Sequence, residues 1–254
     1  MEPLKVSEIK EIQLEMLDEV DSFCRKNSIK YSLAFGTLLG AIRHKGYIPW
    51  DDDMDIVMPL PDMLRFKKEF RSKLLKYCDI ETEPNYEFSF SRITYTPTYS
   101  RKGLCVKSYG IFIDLYPVVG LPQTKEEIDV FFSKCKQVCN RRKQFMKWRG
   151  RIIKLFPVQT IPGYRKSIQE WVNCVNYSFP YDNSTYKLHA GRTHWDNVFD
   201  FDIFEQLVSV EFENHCYLAT SKYHDYLSHC YGDYMKFPPE DQRHPYHGGR
   251  YYWK

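Results

Sequence analysis

The chain has 254 residues, 43% hydrophobic and 17% aromatic, with 27% charged and a formal net charge of +3. That length suits one decorated domain and that composition a globular core filled largely by Tyr and Phe, while the charge is too small to argue for a nucleic-acid partner. No apolar run nears the ~20 residues of a membrane span, and residues 1–30 hold no apolar core of an export signal, so a cytoplasmic location is expected. The eight cysteines are scattered without a CxxC pair. They are expected to be buried thiols rather than a disulfide framework.

In chain order, Ser7–Lys26 predicts an amphipathic helix capped by Ser7, with Ile9, Ile12, Met16, Val20 and Phe23 on its apolar face. Tyr31–Phe35 predicts a strand and Leu38–Arg43 a short helix. The Gly36-Thr37 pair between them lets the chain turn; Thr37 can cap the helix, and free N–H groups at such a start attract phosphate. In the loop that follows, Arg43, His44 and Lys45 are either solvated or phosphate-facing. Arg43 is favoured because it lies one helical turn from Gly40.

The run Asp51-Asp52-Asp53-Met54-Asp55 leads into Ile56-Val57-Met58. Alternate side chains of a strand share a face, which would put Asp53 and Asp55 on one side, roughly 6.5 Å apart, with Met54, Ile56 and Met58 on the other. Carboxylates that close repel, and a divalent ion removes the repulsion; Mg²⁺ fits best, because it takes one or two carboxylates with phosphates and water. A solvated turn is the plain alternative. A calcium loop starting at Asp51 needs Gly at its sixth position and Glu at its twelfth, where this chain has Ile56 and Asp62, and it is excluded.

Further on, a helix over Pro61–Leu75, a strand over Tyr77–Glu81 and a hairpin-like segment over Phe88–Tyr99 are expected; Arg92 is the early cation of the last. Tyr109–Val118 predicts a buried strand whose Asp114 must be paired, protonated or metal-bound. Metal is favoured. Thr124–Phe156 predicts one or two helices, with no acid between Lys134 and Lys154. Such a face is solvated, or it docks on an anionic acceptor or the inner membrane leaflet, where each Lys or Arg adds about 1 kcal/mol. Pro157–Pro162 breaks the helix and Tyr164–Ser178 begins another. In the Tyr-, His- and Asp-rich remainder, Tyr231, Asp233, His244 and His247 line a substrate pocket, or the turn at Tyr231–Tyr234 only caps the helix before it; both readings stay open.

Gly36-Thr37-Leu38-Leu39-Gly40-Ala41-Ile42-Arg43-His44, Gly46 and Ile48-Pro49-Trp50-Asp51-Asp52-Asp53-Met54-Asp55-Ile56 closely resemble the signature of LicD-type phosphotransferases. Ile113-Asp114-Leu115-Tyr116-Pro117, Glu211-Phe212-Glu213 and Tyr231–Glu240 resemble later motifs of that family, so both ends of the chain are covered. The resemblance implies an α+β fold: a nucleotidyltransferase, polymerase-β-like core over about 28–120 with a mixed sheet flanked by helices, and a helical and C-terminal decoration over about 121–254, in one domain. It implies Asp53, Asp55 and Asp114 as catalytic Mg²⁺ ligands (Mn²⁺ fitting the same set), and Gly36, Thr37, Arg43, Asp51, Arg92, Tyr231 and Asp233 around the donor. The implied reaction passes phosphocholine or a related phospho-alcohol from a CDP-activated donor to a hydroxyl of a glycan, lipopolysaccharide or teichoic-acid precursor. A nucleotidyltransferase passing NMP from an NTP, and a non-catalytic nucleotide-binding module, are the alternatives.

Overall fold

The computed structural model describes residues 2–83, 86, 88–102, 106–152, 163–189, 197–244 and 250–254, with backbone only at 101–102, 106–108, 141–152 and 164. The chain forms two compact units: Met1–Tyr77, Arg92–Leu115 and Ile203–Lys254 make the first, Cys78–Ser91 and Tyr116–Asp202 the second.

In the first unit, α1 (Val6–Lys26) buries Ile9, Ile12, Met16, Leu17, Val20 and Cys24 along one face. Its cap is Lys5, not Ser7: the Lys5 N–H donates to Glu8 Oε2 at 2.7 Å, so an acid in the first turn satisfies an end group that a serine was expected to satisfy. β1 (Ser32–Leu33), α2 (Phe35–His44), β2 (Asp55–Pro59) and α3 (Leu60–Glu69) follow. Next come β3 (Leu75–Cys78), β4 (Ser91–Tyr95), β5 (Thr98–Lys102), β6 (Val106–Ser108) and β7 (Phe112–Gly120). The main sheet runs β1-β2-β7-β4-β3, and β1 pairs antiparallel with β2, Ser32 opposite Val57 and Leu33 opposite Ile56.

The expected hairpin over Phe88–Tyr99 does not form. β4 joins the main sheet, whereas β5 lies between β6 and β12 (Tyr251–Trp253) in a three-stranded sheet. Non-local partners win here: the Tyr95 N–H goes to the Ile111 carbonyl (2.7 Å) and the Thr96 N–H to that of Leu74 (2.8 Å). The unit closes with β10 (Leu207–Phe212), β11 (His215–Thr220) and α6 (Tyr223–Tyr231). β10 and β11 are joined by Glu213 and Asn214, both left-handed (φ 50° and 65°), the backbone of a two-residue hairpin turn.

α2 is tightly seated. A Cβ on Gly40 would lie 2.4 Å from the Gly46 carbonyl oxygen and 3.3 Å from the Ile48 nitrogen, both backbone atoms that cannot swing aside. Gly40→Ala is therefore expected to lower stability by about 1–3 kcal/mol despite alanine's better helix propensity, measured by urea unfolding. An unchanged midpoint would contradict this packing.

In the second unit, α4 (Lys125–Ile152) and α5 (Tyr164–Asn176) pack together, with Cys135 and Cys174 sulfurs 3.5 Å apart. The last residues of β7 pair antiparallel with β8 (Lys187–His189), Val118 opposite His189, and β8 pairs with β9 (Val198–Phe199). Both expected helices are present over the described residues. Of the basic run, Lys134 and Lys136 are exposed; the side chains of Arg141, Arg142, Lys143, Lys147, Arg149 and Arg151, like Lys154, residues 157–162 and His247, lie outside the described residues. Among the described residues, no helix is long and apolar enough to cross a membrane. The whole is α+β.

Candidate functional site

The acidic run is positioned by the loop between α2 and β2, and that loop is held by the tip of the β10–β11 hairpin. The Tyr47 N–H donates to Glu213 Oε1 (3.0 Å) and the Glu213 N–H donates to the Lys45 carbonyl (2.8 Å). Gly46 permits this clamp, since a Cβ there would sit 2.3 Å from Glu213 Oε1. Tyr47 completes it, its hydroxyl 3.1 Å from Gln13 Oε1 and its ring packed edge-on to Phe212.

β2 starts at Asp55, so the alternation argument that put Asp53 and Asp55 on one strand face does not hold: Asp53 lies ahead of the strand. What brings the acids together is a set of backbone ties. The Asp55 N–H donates to Thr37 Oγ1 (2.8 Å), the Ala34 N–H donates to the Asp55 carbonyl (3.1 Å), and the Asp114 N–H donates to the Met54 carbonyl (2.9 Å). Thr37 is thus not the cap of α2. Ala34 takes that position without a side-chain bond, and the buried Thr37 hydroxyl latches β2 to the helix instead. The helix start still presents the N–H groups that lack intrahelical partners, at its positive end. A Cβ on Gly36 would lie 2.6 Å from Asp51 Oδ2, so glycine is what lets a carboxylate approach that start.

The electrostatics follow from crowding acids in a dry place. Asp55 is 8% exposed, and its pKa is pushed well up, first by burial and then by Asp53, Asp114 and Asp51, with Arg92 pulling the other way. Burial, then the charge and hydrogen bond of Asp53, raise Asp51 to about 7, partly offset by the Asp52 N–H. Asp114 is paired: Arg92 Nε and Nη2 donate to its two oxygens at 2.5 and 3.1 Å, and the guanidinium lies 3.7 Å from the centre of the Phe112 ring. Pairing with arginine is one of the three fates a buried Asp114 could have.

Asp55 Oδ1 is buried with no hydrogen-bond partner. A buried carboxylate oxygen left without a donor, among further carboxylates, suits a hard divalent cation. Among the described residues, no three His, Cys, Asp or Glu side chains already converge as a ligand set.

Of the other expected residues, Tyr231 stays 44% exposed beside the acids; partial burial, then Cys230, Asp55, Asp51 and Asp53, push its phenol up. Gly232 (φ 65°) ends α6 with its N–H on the Ser228 carbonyl (2.8 Å), so the Tyr-Gly-Asp-Tyr turn also caps the helix. Arg43 points elsewhere: Nη1 donates to the Tyr234 carbonyl (2.7 Å) and the guanidinium covers Phe237, anchoring the segment after α6. Asp233 and His244 are exposed.

Two residues escaped the sequence reading. Lys10, on α1, holds its ammonium 4.5 Å from the Tyr47 ring centre; burial lowers its pKa while Glu213, Asp51 and Asp52 raise it. Tyr251, on β12, is pushed up to about 12 by burial, opposed by Arg92 and then reinforced by Asp52, Asp114 and Asp53. A lysine on a half-polar helix reads as solvated, and nothing local links Tyr251 to acids some 140–200 positions earlier. Both border a cleft of about 390 Å³ that reaches Asp51 and Asp52.

A family model described as LicD/FKTN/FKRP, nucleotidyltransferase domain, matches residues 28–163, which include Asp51 through Asp55 and Asp114. The lipopolysaccharide cholinephosphotransferase LicD of Haemophilus influenzae is 28% identical over 97% of each chain. An uncharacterized protein of Rickettsia typhi is 42% identical over 65 residues, 25% of this chain and 21% of that one. Another, from Rickettsia prowazekii, is 50% identical over 42 residues, 16% of each.

Proposed function

Because this chain belongs to the LicD family, we propose that it transfers a phospho-alcohol, phosphocholine first, from a CDP-activated donor to a hydroxyl of a surface glycan such as lipopolysaccharide. The similarity to a lipopolysaccharide cholinephosphotransferase over nearly the whole chain supports the transferase reading. The observation that carries the chemistry is the buried acidic group around Asp55, whose Oδ1 lacks a donor.

In this reading the core is a nucleotidyltransferase fold. The diphosphate of the donor lies against the start of α2 at Gly36-Thr37, where N–H groups and the helix dipole favour anions. Asp53 and Asp55, with Asp114 beside them, hold Mg²⁺, for which Mn²⁺ can substitute. When bound, the ion offsets charge on the transferring phosphoryl group and the leaving nucleotide. The acceptor oxygen forms a bond to the choline-bearing phosphorus and the bond from that phosphorus to CMP breaks. The hydroxyl proton passes to a carboxylate of the pocket, Asp51, since both oxygens of Asp114 are engaged by Arg92. Tyr231 closes the same pocket. The protein works in the cytoplasm, and the basic residues that α4 carries in sequence meet the anionic, membrane-borne acceptor.

The test is turnover. Purified protein with labelled CDP-choline, an acceptor lipooligosaccharide and Mg²⁺ should release CMP and label the glycan, and EDTA should stop both. Nucleotide transfer from CTP or ATP in place of phosphocholine transfer would overturn the reading in favour of a conventional nucleotidyltransferase.

A further inference from the structure

The cleft beside the acids has an unusual chemistry. Its lining takes Leu4, Val6 and Ile9 from the start of the chain and the aromatic Trp50 and Tyr251 from elsewhere. The two termini are tied there by the Leu4 N–H on the Tyr251 carbonyl (2.8 Å) and by β12 pairing with β5, Tyr251 opposite Ser100. Asp51 and Asp52, next in sequence to Asp53, also line it, and Lys10 and Arg250 complete the charged lining. Among the described residues, no Ser, Thr, Asn or Gln lines it.

We propose that this cleft holds the quaternary-ammonium end of the transferred alcohol, against Asp52 and the Trp50 and Tyr251 rings, with the adjoining phosphate toward Lys10. The proposal rests on the phosphocholine reading above and assigns its headgroup site. A sugar or a nucleobase brings several neutral donors and acceptors that each need a directed partner when buried, and besides four charged side chains the described lining offers only aliphatic and aromatic groups. A trimethylammonium group has no N–H to satisfy. It presents greasy methyls carrying a diffuse positive charge, which aromatic faces and a carboxylate receive well.

The charges of the cleft match a zwitterion. Asp52, with Asp51 beside it, offers carboxylate oxygens, while the Lys10 ammonium lies 4.5 Å from the centre of the Tyr47 ring. Trp50 is held by Phe237 and Arg243, whose guanidinium lies 5.5 Å from its ring centre. Val6 is 60% exposed on the first turn of α1, so its side chain can be changed without disturbing the core.

The test uses full-length protein, calorimetric titration, and phosphocholine against phosphoethanolamine. The wild type is expected to prefer phosphocholine by about tenfold, the equivalent of 1.4 kcal/mol. Val6→Lys, which sets a cation in the apolar wall, should weaken phosphocholine about tenfold, and Val6→Glu should tighten it several-fold. Loss of affinity in both variants would mean a steric effect alone and overturn the proposal, as would equal binding of the two headgroups by the wild type. Phosphocholine preference with the expected charge response, but no turnover of CDP-choline, would sink the transfer reaction and leave the headgroup site standing.

Discussion

Asp55→Asn is expected to abolish phosphocholine transfer, a loss on the order of 10³-fold, while the metal-free protein becomes more stable by about 1–2 kcal/mol. Both effects come from one fact: a buried carboxylate with an undonated oxygen is placed among Asp53, Asp114 and Asp51. Removing its charge relieves repulsion and desolvation, and it also replaces the anionic oxygens of the proposed ion site with a neutral amide. Activity assays with thermal unfolding in EDTA check the pair of outcomes. An inactive variant that is also less stable would place Asp55 in the fold rather than in the chemistry.

The same crowding sets the pH dependence of the wild type. Asp51 sits at about 7 against an ordinary 3.8, and Asp55 is shifted in the same direction. Between those values the folded state holds more protons than the unfolded one, so ionisation works against folding. Stability of the metal-free protein should therefore fall as pH rises from about 4 through about 7, and a divalent ion should reverse the fall. Melting temperatures at pH 5 and pH 8, in EDTA and in Mg²⁺, decide it. A higher melting temperature at pH 8 in EDTA would contradict the arrangement.

Arg92→Ala should cost about 3–5 kcal/mol, because it removes a two-point ion pair from a carboxylate that is 2% exposed. Replacing both partners by apolar residues, Arg92→Met with Asp114→Leu, should recover most of that stability and no activity. Urea unfolding of the two single variants and the double gives the coupling. Were Arg92→Ala to stay folded and lose only donor affinity, the guanidinium would be a phosphate contact, the role first expected from its resemblance to family members.

Comparison of the sequence with the fold is clearest at individual residues. The amphipathic α1 and the buried β7 are legible because apolar periodicity is local, and the burial of Ile9, Ile12, Met16 and Val20 follows the spacing. Asp53 is the instructive failure. Period-two alternation assigned it to a strand face, yet β2 begins two residues later, because the Met54 carbonyl is taken by Asp114 and the Asp55 N–H by Thr37. Local pattern alone suggests Thr37 and Ser7 as caps, whereas the Thr37 hydroxyl accepts from the Asp55 N–H and Glu8 serves the start of α1. Arg43 was within reach of the helix start, but carbonyls of the 234–236 segment bind it.

The sequence by itself determined the family, the acid-rich motif and the short α2 before it, since those depend on residue types at fixed short spacing. Tertiary structure alone decided which acid is paired and which is left without a donor, and it drew Glu213, Lys10, Tyr231 and Tyr251 to the same motif from both ends of the chain. The reason is physical: a carboxylate's burial and its neighbours are set by contacts between segments up to about two hundred residues apart, and no local pattern encodes a through-space charge balance.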